Sequence, residues 1–414
     1  MPQSPATYIE HNAHEAVRLL QNLVRLRTVN PPGENYDAIT TFLARELAAV
    51  GLKARRFFVP VRLAKKYLPA EQQDYPRFNV LGHWNAGAKK TIHFNAHYDV
   101  VPAGGSWRHG DAFSGALEGG WIYGRGTADM KGSMASLLLA LGALRATGTK
   151  PRCNVEVSFT ADEETDSALG ANWLVRQAGL RADYAIVMEG GEGRSICCGH
   201  NGVVWLEVTV HGRAAHGSRP ERGINALEKM SALVLALEDY KKWIVRRTFV
   251  TPEKKIMRPT LNIGGVFGPA PGGKINTVPA LAHFTLDRRV LPMEGHAEAE
   301  RDLRAFLAAA ARKISPARIT VKKISENFAC YAQPDHPFFA ALASSIARVR
   351  RLRPAFSVST GFNDMHFFAQ HLKIPTLGYG PIGEREHAKD ERVSVCDIAT
   401  TAKIYADILT TFAG

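Results

Sequence analysis

Apolar residues recur at Val17, Leu20, Leu23 and Val24, the spacing of one helix face, and predict a helix over about 14–26. The stretch TVNPPG ends it, because proline and glycine punctuate a helix. A second helix is predicted over about 36–50, stopped at Gly51. Strands then alternate with helices. Residues 77–84, 91–97, 154–160 (NVEVSFT) and 183–188 (DYAIVM) read as strands. Residues 133–146, with Met134, Leu137, Leu138 and Leu141 on one face, and 167–178 read as helices. This rhythm predicts an α/β fold, a mainly parallel mixed sheet covered by helices.

The pattern changes near Gly202. Residues 203–211 (VVWLEVTVH) alternate apolar and polar, the period of a half-buried strand. A helix at about 223–239, strands at 260–266 and 280–290, a helix at 297–313 and a strand at 318–325 follow. The order β-α-β-β-α-β is that of a small ferredoxin-like α+β unit. A helix over 337–350 and a short strand at 374–379 then resume the first pattern. The simplest organisation is a discontinuous domain of residues 1–202 and 327–414, with residues 203–326 inserted. The inserted sheet has open edges, which invite pairing with a second copy of the chain in a two-fold dimer.

Composition narrows the class. At 414 residues the chain is long for one domain; 45% apolar and 22% charged residues are ordinary for a globular protein. The longest apolar stretch, around Met134–Leu144, is too short to span a bilayer. The N-terminus shows no basic region followed by an apolar one, so no secretory signal is predicted. Five scattered cysteines without a CxxC pair suit reduced thiols in the cytoplasm. The net charge is +13, from 52 Lys plus Arg against 39 Asp plus Glu. These cations are dispersed and no nucleic-acid module is visible, so the charge reads first as a solvated basic surface and next as an attraction for small anionic substrates.

The candidate chemistry lies just beyond the apolar strands. His97 and Asp99 close TIHFNAHYDVVP, Asp129 sits in GRGTADMKG, Asp162, Glu163 and Glu164 follow VEVSFT, and Glu189 follows DYAIVM. In open α/β sheets the carboxyl ends of the strands form the ligand crevice. Carboxylates gathered there repel one another unless protonated or bound to cations, and a divalent metal pair is the economical remedy. Zinc favours such imidazole and carboxylate donors. Taken singly, Asp111, Glu192 and the Asp162–Glu164 run read equally well as solvated loops; the set and its order carry the inference.

NAHYDVVP, GRGTADMKG, ADEE, the Met188-Glu189 pair and EREHAKDERVSV together resemble the aminoacylase / acetylornithine deacetylase / succinyl-diaminopimelate desuccinylase / glutamate carboxypeptidase family of dinuclear zinc metallopeptidases. The resemblance covers nearly the whole chain. It implies that His97 and Glu189 bind one ion, Glu164 and His387 the other, and that Asp129 bridges them. It implies that Asp99 orients His97, that Glu163 is the general base, and that the peptide after Asp129 is cis. Glu at 189 leans toward deacylases and carboxypeptidases, since aminopeptidase members tend to carry Asp. The inserted domain resembles the family's lid and dimerisation domain. There His216 in GRAAHGSRP would reach a partner subunit's site, while Asn276, Arg289 and Gly361 would contact substrate. Arg288 remains an alternative to Arg289, and Phe362 and Asn363 stand where the family has small residues, Thr or Ser. The implied reaction is hydrolysis of an N-acyl amino acid, with peptide cleavage by a carboxypeptidase or dipeptidase as the alternative. An inactive binding homologue would lack a ligand or the base, and none is missing.

Overall fold

The structure, a computed structural model, describes residues 3–189, 193–269, 273–314, 316 and 318–414. The chain divides into two compact units: residues 1–198, 332–357 and 363–414, and residues 199–331 with 358–362.

In the first unit a short helix, Pro5–His11, precedes helices α1 (Ala13–Arg25) and α2 (Tyr36–Ala49). α1 buries Ala16, Leu20, Leu23 and Val24 as one stripe. Strands β1 (Lys53–Phe58), β2 (Phe78–Trp84) and β3 (Thr91–His97) follow, then helix α3 (Gly132–Ala146), strand β4 (Asn154–Thr160), strand β5 (Tyr184–Val187) and strand β6 (Ser195–His200). Every residue of β3 is buried. Its run of apolar and small polar side chains is what a strand covered on both faces requires. α3 is buried on almost every side, which explains why its apolar residues spread beyond one stripe.

The second unit holds strand β7 (Gly202–His211), helix α4 (Ala226–Ile244), strands β8 (Thr260–Pro269) and β9 (Leu281–Val290), helix α5 (His296–Lys313) and strand β10 (Arg318–Asn327). Its four strands pair antiparallel in the order β8-β9-β7-β10, the ferredoxin-like arrangement. Val204, Leu206, Val208 and Val210 of β7 and Phe284 and Leu286 of β9 share a core with Leu233 and Leu237 of α4 and Leu303 and Leu307 of α5. Period-two alternation therefore leaves Trp205, Asp287 and Arg289 on the other face. β8 is an edge strand, and Val266 and Phe267 on it are exposed.

The first unit resumes with helix α6 (Pro337–Arg350), strand β11 (Thr376–Gly378) and helix α7 (Val395–Thr411). Its main sheet runs β1-β2-β4-β3-β5-β11-β6. The centre, β4-β3-β5-β11, is parallel, and the flanking pairs are antiparallel. From β3 the chain crosses to β4 on one side, then to β5 on the other. That reversal opens a crevice at the carboxyl ends of these strands. A second, small antiparallel sheet pairs 116–118 with 121–123, 121–123 with 392–394, and 392–394 with 383–384. It holds the segment bearing His387 beside the loop bearing Asp129.

The periodicity missed β1, because KARRFF is a charged edge strand without apolar alternation, and the short strands of the small sheet. Among the described residues no helix is long and apolar enough to cross a membrane. The five cysteines form no disulfide.

Candidate metal centre

The site of the first unit is built at the carboxyl ends of β3, β4 and β5. His97 is the last residue of β3 and only 1% of its side chain is exposed. Its Nδ1 lies 3.0 Å from the main-chain oxygen of Asp99, and that contact fixes the ring. Its Nε2 faces Asp129 Oδ1 at 2.9 Å, with Glu163 Oε2 at 4.0 Å. The other oxygen of Asp129, Oδ2, lies 3.2 Å from His387 Nε2, and the same nitrogen lies 3.2 Å from Glu164 Oε2. Ligand atoms of Asp129, Glu164 and His387 all fall within 4.8 Å of one another. Asp129 thus presents one oxygen to each imidazole. The Asp129–Met130 peptide is cis.

Glu189 stands two residues beyond β5. Its Oε2 is buried and has no hydrogen-bond partner among the described residues. Burial and the charges of Asp129, Asp364 and Glu386 push its carboxyl well above the ordinary range, His97 opposing. Burial, Glu189, Asp364 and Glu164 do the same to Glu163, again against His97. His387 is pushed up to about 10 by its hydrogen bonds with Asp129 and Glu164. Burial opposes a proton on His97, but Asp129, Asp99 and Glu163 together raise its pKa well above the usual value. Divalent cations fit these donors: nitrogen and carboxylate oxygens in number, and a buried carboxylate oxygen left without a donor.

The Asp99 carboxylate stands beside the His97 ring and also holds the turn after β4. Its Oδ1 is 3.5 Å from His97 Nδ1, farther than the main-chain oxygen of Asp99. The carboxylate accepts the main-chain N–H of Glu163 (3.1 Å), that of Glu164 (3.2 Å) and the Asn30 side-chain amide (2.9 Å). Asp162, at positive φ, faces away from the cluster into a buried network. It receives Arg77 Nε at 2.9 Å, Tyr36 Oη at 3.1 Å and Asn30 Nδ2 at 3.2 Å. Asp166 and Ser167 also have positive φ, so the turn carrying Glu163 and Glu164 is held in conformations that L residues rarely adopt.

Other residues fall elsewhere. Asp111 is a half-exposed surface partner of Arg27 at 2.9 Å, and Glu192 lies outside the described residues. In the second unit His216 and Asn276 are exposed neighbours: Gly217 N–H donates to the Asn276 carbonyl at 2.7 Å. Ser218 N–H donates to His216 Nδ1 at 3.1 Å, so a neutral His216 carries its proton on Nε2. Arg289 pairs with Asp287 at 2.9 Å, and its guanidinium lies 5.8 Å from the ring centre of Phe362. Arg288 is fully buried, with Glu294 at 2.5 Å. Gly361 donates its N–H to Ser359 Oγ at 3.1 Å.

Of the buried carboxylates that the sequence did not single out, Asp364 and Glu391 touch the turns of the site. Asp364 hydrogen-bonds Ser167 and lies 3.5 Å from Thr160 Oγ1, and burial raises its pKa to about 6. Glu391, in the KDER run, is fully buried against Arg125 at 2.6 Å. Only an acidic residue ahead of an apolar stretch signals either one.

The model of peptidase family M20/M25/M40 matches residues 93–411. The chain belongs to that family. It is 31% identical to a succinyl-diaminopimelate desuccinylase of Methylocella silvestris, over 97% of this chain and 98% of the relative. An M20 family metallo-carboxypeptidase from Sulfolobus solfataricus superposes with a TM-score of 0.75 at 20% identity, covering 96% of this chain and 99% of that one. A dinuclear metal binding peptidase of the M20 family from Bacillus subtilis superposes at 0.67 with 14% identity, covering 97% and 98%. At those identities the structural likeness speaks for the fold alone. As an M20 member the chain is a metal-dependent hydrolase of linear amides.

Proposed function

We propose that this M20 enzyme hydrolyses the amide of an N-acyl amino acid, of the desuccinylase and deacetylase type, using two zinc ions. The observation that carries the reading is Asp129, whose two oxygens face His97 and His387 separately. His97 and Glu189 would hold one ion, Glu164 and His387 the other, and Asp129 both; cobalt or manganese would substitute. Bound divalent ions supply Lewis acidity toward the amide carbonyl and make water acidic enough to lose a proton near neutral pH.

Glu163 takes that proton as water attacks the carbonyl, and returns it to the leaving amine. Its place in a shielded pocket beside His97 suits a carboxylate that gives and takes a proton. Asp99 holds the main chain of Glu163 and Glu164, so it orients the base and one ligand together. Arg289, Asn276 and Gly361 would bind the substrate, with the Arg289 fork on a free carboxylate. His216 of a second copy would donate its Nε2–H to the developing oxyanion. The exposed edge of β8 suits the pairing of two copies. Cysteines outside disulfides suit the reducing cytoplasm.

Peptide cleavage from a free carboxyl terminus is the second reading. It is supported by the same arginine and by the peptidases that share the fold. A panel of N-succinyl and N-acetyl amino acids and dipeptides, assayed with added zinc or cobalt, separates the two. Turnover of dipeptides alone would replace the first reading with the second.

A further inference from the structure

We propose that Glu391 is a positioning residue that sets the carboxylate of Asp129 against His387. The inference rests on the reading of Asp129 as the ligand shared by both ions. Asp129 lies in a loop whose backbone is not helical at residues 129 and 130, so no regular hydrogen-bond ladder holds its side chain in place. A fully buried carboxylate holds it instead. Glu391 Oε1 accepts the main-chain N–H of Ala128 at 2.9 Å and of Asp129 itself at 3.1 Å. Oε2 accepts the N–H of Gly126 at 2.9 Å and Arg125 Nη1 at 2.6 Å. The main-chain oxygen of Glu391 accepts Gly124 N–H at 2.9 Å. One residue thus satisfies four donors through its side chain and a fifth through its backbone, all from the Gly124–Asp129 loop.

The same residue belongs to the segment that carries His387. The strand at 392–394 pairs with 121–123, so Glu391 enters the loop from a fixed register. The loop with Asp129 and the segment with His387 are far apart in sequence, and the Glu391 carboxylate ties one to the other. Such a tie decides whether Asp129 Oδ2 meets the His387 ring at the observed 3.2 Å. Only a carboxylate can do this. An amide in its place would turn an NH2 group toward two of the four donors, leaving buried N–H groups unpaired.

The test titrates metal-free protein with zinc, and separately with cobalt, by calorimetry. It compares wild type, Glu391→Gln, Glu391→Asp, Arg125→Met and Asp129→Asn, with circular dichroism to establish that each metal-free protein is folded. Folded Glu391→Gln is expected to bind the ions about 10–100-fold more weakly, as supporting partners of ligands typically do. Glu391→Asp, which keeps the carboxylate on a shorter stem, should recover part of that loss. A contact with only a structural role would lower the thermal midpoint of the metal-free protein and leave ion affinity untouched. Wild-type affinity in folded Glu391→Gln, alongside weakened Asp129→Asn, overturns this inference alone. Wild-type affinity in Asp129→Asn overturns the shared-ligand reading and this inference with it. Should Glu391→Gln not fold, Arg125→Met decides: weakened binding supports the proposal, and unchanged binding overturns it.

Discussion

The Asp99 carboxylate accepts the main-chain N–H of Glu163 at 3.1 Å, while its own main-chain oxygen, 3.0 Å from Nδ1, fixes the His97 ring. The two tasks are separable. Asp99→Asn should leave His97 oriented, because the main-chain contact survives, and should loosen the turn bearing Glu163. The expected outcome is near-normal metal content with kcat reduced about 10–100-fold. Metal analysis of the variant beside its steady-state kinetics checks this; loss of one equivalent of metal would show that the carboxylate itself orients His97.

Glu163 and Glu164 are adjacent, yet only Glu164 lies within 3.2 Å of His387. Glu163→Gln should therefore keep its metal and lose about 10²–10⁴-fold in kcat, the usual cost of a general base. Glu164→Gln should lose metal first. The opposite pairing of results would reverse the two roles.

Arg289 lies on the open face of its sheet, while Arg288 points into the core against Glu294. Arg289→Ala should lower kcat/KM for a substrate with a free carboxylate by about 2–5 kcal/mol, the range for truncating one member of a desolvated charge pair. Blocking that carboxylate as an amide should cost wild type similarly and the variant little. Equal turnover of amidated and free substrates by wild type removes Arg289 from this role.

His216 is exposed and carries its proton on Nε2 when neutral. If it serves a second copy, His216→Ala and Glu163→Gln should each be inactive alone and regain activity when mixed. One site of the mixed dimer would combine intact Glu163 with the partner's intact imidazole. Subunit exchange followed by mass spectrometry, then assay, measures this. Confirmed heterodimers without activity would exclude the role.

His296 gives a stability prediction. Burial, then the charges of Arg288, His200 and Lys323, lowers its pKa from 6.5 to about 4, and its Nε2 accepts Ala329 N–H at 3.0 Å. The folded state thus holds His296 neutral. As pH falls below 6.5 the unfolded chain binds the proton first, so stability falls until about pH 4 and levels off below it. The loss is about 3 kcal/mol at most by linkage. His296→Gln, which keeps an acceptor without titrating, should flatten the denaturation midpoint across that window relative to wild type. An identical slope in the two proteins would refute the assignment.

His97, Glu163, Glu164 and Glu189 were legible as candidates because each closes or follows a largely buried strand, whereas Asp129 and His387 lie in loops and stood out only through the resemblance. Buried strands write themselves as apolar runs, and a histidine or carboxylate at or just beyond the end of one has few structural reasons to be there. The ferredoxin-like order was legible for a similar reason: period-two strands and period-3.6 helices are local properties. Alternation in LAHFTLDRRV showed that Arg288 and Arg289 face opposite ways, but the choice between them waited on which face α4 and α5 cover. Tertiary structure alone decided what the supporting carboxylates do. Asp162 stands beside two candidate site residues yet is spent on Arg77 and Tyr36. Glu391 reads as one more charge in KDER, yet its partners are the N–H groups of a loop more than two hundred residues earlier. A side chain's identity states how many hydrogen bonds it can accept; which donors it meets depends on where the rest of the chain has folded.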